Sequence, residues 1–207
     1  RISKIEALAT TAETIAQLAA LSTVPTPAPN LSAADFSALG IGGVTTDNLR
    51  SVLAAIASTA NDGSAIDTQI ALQSVVDTAI EAYKQQIALD ALRDAAIERI
   101  TAYAGDNNTP AGSTLPTLSD YQVAGVTGVS NANLSALNSA LATTDVTGSA
   151  LGSTADIQAL VDAYNQILSE ANSASADANA LSNPHASDFS TIGASTAGSF
   201  GDGSAEQ

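Results

Sequence analysis

An all-α fold, built as tandem three-helix-bundle repeats joined by a long shared helix, is what this chain predicts. Three observations carry that prediction. The stretch from Ile66 to Ala104 holds no Gly and no Pro and is dominated by Ala, Leu, Gln, Glu, Lys and Arg, all good helix formers. Shifting the chain by 85 residues aligns it on itself without a gap. Ser/Thr-x-x-Asp pairs, which satisfy the first free N–H groups of a helix, stand at matching places in both copies.

In the 85-residue register Pro25 meets Pro110, Asp35 meets Asp120, Phe36 meets Tyr121 and Gly40 meets Gly125. Gly43-Val44 meets Gly128-Val129, Asn48-Leu49 meets Asn133-Leu134, and Gln73 with Val76-Asp77 meets Gln158 with Val161-Asp162. A third copy starts at Ser187-Asp188-Phe189, offset from the second by 68, so its connecting segment is 17 residues shorter. The chain therefore divides into a first helical repeat over 1–85, a second over 86–170, and an incomplete third with a flexible Gly/Ser-rich tail over 171–207. The helix over about 66–104 is shared between the first two.

Each copy reads alike. A helix (Ile2 to about Leu21, or the second half of the shared helix) ends in a Pro-rich or polar loop. A short helix follows, opened by Ser32-x-x-Asp35 or Thr117-x-x-Asp120 and stopped by Gly40 or Gly125, which can take a left-handed conformation. A tight turn leads to a second helix of about a dozen residues. Leu49, Val52, Leu53 and Ile56 line it in copy one, and Leu134, Leu137 and Leu141 in copy two. Asn61-Asp62-Gly63 or Thr147-Gly148 ends it. The long helix then starts at a Ser-x-x-Asp pair, Ser64/Asp67 the first time and Ser153/Asp156 the second.

The shared helix, about 55 Å long at about 1.5 Å per residue, changes its apolar side partway. Leu72, Val76, Ala79, Ile80, Tyr83 and Ile87 form one stripe at about 100° per residue. Past Ile87 that face carries Asp90, Asp94, Glu98 and Thr101, and the stripe becomes Leu89, Leu92, Ala96, Ile100 and Tyr103. A helix buried in one bundle keeps a single stripe; this one is expected to serve two. In a chain so poor in aromatics, Phe36 and Tyr121 are expected to be core anchors.

Composition narrows the function. Of 207 residues 21 are acidic and 6 basic, a net charge of −15. That disfavours nucleic acid and anionic membrane surfaces, both of which call for Lys and Arg. No apolar run approaches a membrane span. Without Cys there is no disulfide framework or thiol chemistry. The Ala-rich, Met- and Trp-free composition suggests slim helices and a core of small side chains. The chain opens at Arg1 without Met or a signal pattern, as a fragment or processed product would.

No catalytic, cofactor-binding or metal-ligating residue emerges, and the chain is read as no enzyme. His185, the single histidine, follows Pro184 at the head of the incomplete copy with no special partner, and is expected to be an exposed cap or loop residue. Asp35, Asp67, Asp120 and Asp156 are accounted for as helix-start residues. Asp90, Asp94 and Glu98 read as a solvated face. Calcium is the one metal with candidates, the oxygen-rich turns Asn61-Asp62-Gly63 and Asp106-Asn107-Asn108. Neither fits the EF-hand loop or the Gly-rich nonapeptide, and a plain turn is favoured for both. Asn30, Asn107 and Asn133 fit the glycosylation sequon, a pattern common by chance. Gly125-Val126-Thr127-Gly128 lacks the Lys and the preceding strand of a phosphate loop.

The run Leu118-Ser-Asp-Tyr-Gln-Val-Ala-Gly-Val-Thr-Gly-Val129, then Asn133-Leu134, then Asp156-Ile-Gln-Ala-Leu-Val-Asp-Ala-Tyr-Asn165, resembles the helical repeats of giant bacterial surface proteins. These are large repetitive adhesins linked to biofilm formation, in which such units occur in tandem beside immunoglobulin-like domains. The resemblance covers about Leu31 to Glu170, with the Gly-Val-Thr-Gly-Val turn its most specific marker. It implies a secreted, extracellular location at the bacterial cell surface and no catalytic residue. The helix insert between copies one and two departs from the pattern. The expected role is a structural spacer or assembly segment of such an adhesin, with neighbouring repeats or copies of itself as partners. The alternatives are a self-assembling subunit of an extracellular filament or surface layer, and a glycan or small-ligand binding module. An exposed apolar stripe on the second half of the shared helix would favour the filament, and a pocket with convergent polar groups the ligand.

Overall fold

A computed structural model of the chain describes residues 2–19, 21, 23–26, 28–60, 66–104, 114–143, 146–171 and 184–194. Among these the fold is all-α. The helices are α1 (Ile2–Ala19), α2 (Ala33–Ala38), α3 (Leu49–Ala57), α4 (Gln69–Tyr103), α5 (Leu118–Val123), α6 (Leu134–Leu141), α7 (Thr154–Ala171) and α8 (Ala186–Thr191), with a 3₁₀ turn at Gly148–Ala150. No strand occurs among the described residues. The chain forms two compact units, Arg1–Leu89 and Asp90–Gln207.

In the first unit α1 packs on α2 and α3. Its core joins Ile15 and Leu18 of α1, Phe36 of α2, Val52, Leu53 and Ile56 of α3, and Leu72, Val76 and Ile80 of α4. The second unit buries Ile100 and Tyr103 of α4, Tyr121 of α5, Leu137 and Leu141 of α6, and Ile157, Leu160 and Val161 of α7. The two cores use the same positions 85 residues apart: Ile15 and Ile100, Phe36 and Tyr121, Val52 and Leu137, Ile56 and Leu141, Val76 and Val161. Phe36 and Tyr121 are fully buried, as their scarcity suggested. The expectation of a core of small side chains is corrected, since Tyr121, Phe36, Leu18, Ile41 and Ile56 are among the fully buried residues. Ala sets the composition, but large side chains carry most of the apolar area that burial removes from water.

Helix starts follow the predicted chemistry with one shift. The Asp35 carboxylate accepts from the Ser32 N–H at 2.8 Å, and the Asp120 carboxylate from the Thr117 N–H at 2.7 Å. Ser153 caps α7, its hydroxyl accepting the Asp156 N–H at 3.2 Å and donating to the Asp156 carboxylate at 2.6 Å. The long helix begins at Gln69, three residues later than its Gly- and Pro-free stretch. There Thr68 is the cap, accepting the Ala71 N–H at 3.1 Å. Ser64 lies outside the described residues. The second helix of each copy is shorter than expected, nine residues in α3 and eight in α6. Thr147-Gly148 leads into the 3₁₀ turn and does not end α6.

Helix α4 runs without a break for 35 residues. Between Ile80 and Ala96 it buries no residue, which corrects the stripe expected there: Ile87 is 50% exposed and Leu89 and Leu92 are 60% exposed. The first core takes α4 residues only up to Ile80 and the second only from Ala96. A nine-residue helix such as α3 spans only about 13 Å and covers two to three turns of a neighbour. Helix α7 has 18 residues against 35 in α4, a difference of 17. Its first residue lies 85 after that of α4 and its last lies 68 after that of α4, so the shortening falls inside the helix. Helix α8, the start of the third copy, packs on α7.

Candidate functional site

The feature most elaborately built from side chains is a turn that occurs in each unit between the short helix and the next. Both turns enter through a glycine with positive φ, Gly40 (φ 79) and Gly125 (φ 80), and continue through a second, Gly43 (φ 83) and Gly128 (φ 79). At the second position a side chain is excluded twice over. The left-handed backbone disfavours one, and a Cβ on Gly43 would lie 2.9 Å from Ile80 Cδ1, while one on Gly128 would lie 2.9 Å from Asn165 Nδ2.

The long helix clasps each turn with one glutamine. Gln73 Oε1 accepts the Gly42 N–H at 2.8 Å, and its Nε2 donates to the Gly42 carbonyl at 3.2 Å and to Asp77 Oδ1 at 2.7 Å. Gln158 repeats this on Thr127, with the N–H at 2.8 Å, the carbonyl at 3.2 Å, and Asp162 Oδ1 at 2.7 Å. One amide thus pairs both backbone groups of a single residue, as a neighbouring strand would. The carboxylate one helical turn on holds the amide in the orientation that allows it.

A buried asparagine closes the turn from below. Asn48 Oδ1 accepts the Thr45 N–H at 2.8 Å, and its Nδ2 donates to the Gly43 carbonyl at 3.0 Å. Asn133 makes the same two bonds, to Ser130 at 2.7 Å and Gly128 at 2.8 Å, and a third to Asn165 Oδ1 at 2.8 Å. Its amide being so engaged and buried, Asn133 is no glycan acceptor, whatever its sequon suggests. Each glutamine bond is worth about 0.5–1.5 kcal/mol net. Gln158→Ala is therefore expected to cost the second unit about 1–2 kcal/mol, read as a lower denaturation midpoint at an unchanged denaturant slope.

Asp120 is the one buried carboxylate among the described residues. Besides capping α5 it is paired with the Arg99 guanidinium of α4. Burial pushes its carboxyl up, but the N–H and hydroxyl of Thr117 and the charge of Arg99 together outweigh this and hold it below the ordinary aspartate value. A carboxyl lowered on folding contributes stability that is present above its unfolded pKa, about 3.9, and is lost as pH falls through the folded value. Acid melts of the second unit are expected to weaken below about pH 4, and Asp120→Asn should flatten that limb. In the first unit Thr14 stands where Arg99 would be. The Asp35 carboxyl is lowered by the Ser32 hydroxyl and then by its N–H.

The remaining candidates are placed as follows. His185 is exposed at the N-terminus of α8, its N–H donating to Asp188 Oδ2 at 2.6 Å. Asp90 pairs with Arg93 at 2.5 Å on the surface, and Asp94 and Glu98 are exposed. Asn61-Asp62-Gly63, Asp106-Asn107-Asn108 and most of the Gly/Ser-rich tail lie outside the described residues. Among the described residues no three His, Cys, Asp or Glu side chains gather as a metal would need. A cavity of about 510 Å³ in the first unit is lined by Ala12, Ile15, Ala16, Leu39, Ile41 and Leu72 together with Thr68, Gln69 and Asp67, which is exposed and precedes α4. The Thr68 hydroxyl is committed to the Ala71 N–H and the Gln69 amide to the Gly40 carbonyl. No described helix is long and apolar enough to cross a membrane.

The roles of Gln73, Gln158, Asn48 and Asn133 were missed from sequence, although all four recur in the 85-residue register. Polar residues repeated at fixed positions among apolar ones were the available signal. A comparison with family models, characterised proteins and solved structures finds no match in any of the three.

Proposed function

We propose that this chain is a non-enzymatic structural spacer or assembly segment of a secreted bacterial cell-surface adhesin, made of tandem three-helix-bundle repeats joined by a long shared helix. The observation that carries the reading is the clasped turn, repeated bond for bond 85 residues apart. Such repetition holds a side-chain amide against the backbone of a turn, and its carboxylates, Asp77 and Asp162, each accept from that amide. The unbroken α4, which supplies core residues to both units, supports a shared connecting helix. The location rests on the resemblance to large repetitive adhesins and agrees with the acidic composition.

A spacer gains its function from length, because each unit of a linear array touches mainly its neighbours. Chains carrying two, three and four copies should grow in maximum dimension by a constant step of some tens of Å per copy (about 1.5 Å per helical residue), measured by solution scattering. Particles whose dimension barely grows with copy number would exclude this role. A second reading is favoured by Leu89 and Leu92, which stand exposed on one side of α4: a self-assembling subunit of an extracellular filament or layer, with that face packed against another copy. Electron microscopy of the purified chain, with and without calcium, separates short particles from long polymers.

A further inference from the structure

The two units differ in the chemistry of one hydrogen-bonded pair deep in their cores. In the second, Tyr121 is fully buried, its hydroxyl donates to Asn138 Oδ1 at 2.9 Å, and Asn138 Nδ2 donates to the Pro116 carbonyl at 2.8 Å. Asn138 is itself 2% exposed. At the matching positions of the first unit stand Phe36 and Leu53, both buried in one core. The hydroxyl and the amide are thus present together or absent together. The flanking core positions stay apolar, Val52 and Ile56 of α3 matching Leu137 and Leu141 of α6, and Asn48 and Asn133 make the same two turn bonds.

We propose that the Tyr121–Asn138 pair and its apolar counterpart Phe36–Leu53 form a sorting device, which keeps α3 and α6 from docking in each other's unit as the chain folds. Repeated units in one chain are prone to such misassembly. Were α6 to dock in the first unit, the Asn138 amide would be buried against a phenyl ring that has no hydroxyl to offer. Were α3 to dock in the second, Leu53 would leave the Tyr121 hydroxyl and the Pro116 carbonyl without their partner. A buried polar group left unpaired carries its full desolvation cost. The correctly paired network loses little, because each polar atom in it has a partner. Apolar shape at Ile56 and Leu141 discriminates little, since Ile and Leu have the same volume and swap at low cost.

The test uses the full chain. Tyr121→Phe and Asn138→Leu should each lower the melting temperature of the second unit, and combining them should restore most of the loss. Leu53→Asn should do the same to the first unit, with rescue by Phe36→Tyr. Additive losses without rescue would overturn the proposal, because a pair that merely fills space shows no matching. The matched double variants then test sorting itself, since each gives both units the same pair. After dilution from denaturant, either equalised chain should give a misassembled fraction about tenfold above the parent's, the ratio that one unpaired buried group sets. That fraction is counted as protein that is protease-sensitive or elutes outside the native monomer. If one equalised chain does not fold, its mirror variant decides. Parental refolding yield in a folded equalised chain overturns the proposal.

Discussion

Phe36→Ala should destabilise the first unit by about 3–5 kcal/mol, the range for removing a fully buried phenyl ring. Phe36 has no exposed surface and lies in one core with residues of α1, α3 and α4. Helix α2, which carries it, has six residues. A helix that short has no stability of its own in water, so the ring and the Ser32–Asp35 cap are what hold it in place. The loss should be local: amides of α1, α2 and α3 should exchange faster, while those of α6 and α7 keep their protection. Hydrogen exchange read by mass spectrometry checks this. Unchanged protection in α1 to α3 would remove Phe36 from the role of anchor.

Ala88→Pro should cost about 3 kcal/mol or more in helix terms. Proline at 88 removes the N–H that bonds to the Lys84 carbonyl and presses its ring on that carbonyl. Ala88 is exposed, so no packing is lost, and the effect isolates the continuity of α4. Ala88→Gly, which leaves the N–H in place, should cost only about 1 kcal/mol. If α4 transmits stability between the units, the proline variant should melt in two calorimetric steps where the parent melts in one. A proline variant that unfolds as the parent does would mean that α4 transmits nothing.

Several features were legible in the residues because the physics that makes them is local. The caps Ser32/Asp35, Thr117/Asp120 and Ser153/Asp156 act across three residues, the reach at which a side chain meets the first free N–H groups of a helix. The start of α4 was misplaced for a related reason. Ser64 with Asp67 fits a cap by pattern, whereas Thr68, one helical turn on, is the residue that accepts a first-turn N–H, and helix propensity does not fix such a boundary.

The 85-residue repeat, the all-helical fold, the left-handed glycines and the choice of Phe36 and Tyr121 as anchors were determined by sequence alone. Periodicity, capping and backbone sterics act over a few residues and require no knowledge of what lies opposite. Only the tertiary structure decided that Gln73 and Gln158 grip a turn 31 residues away, and that the Tyr121 hydroxyl meets an asparagine 17 residues on. It alone decided, too, that Ile87, Leu89 and Leu92 face water. A helical stripe marks which residues could be buried together; how far along α4 burial extends depends on how far each unit's core reaches along it. Each core takes up a short stretch of α4, residues 72–80 in the first unit and 96–103 in the second, and the middle between them is therefore left uncovered.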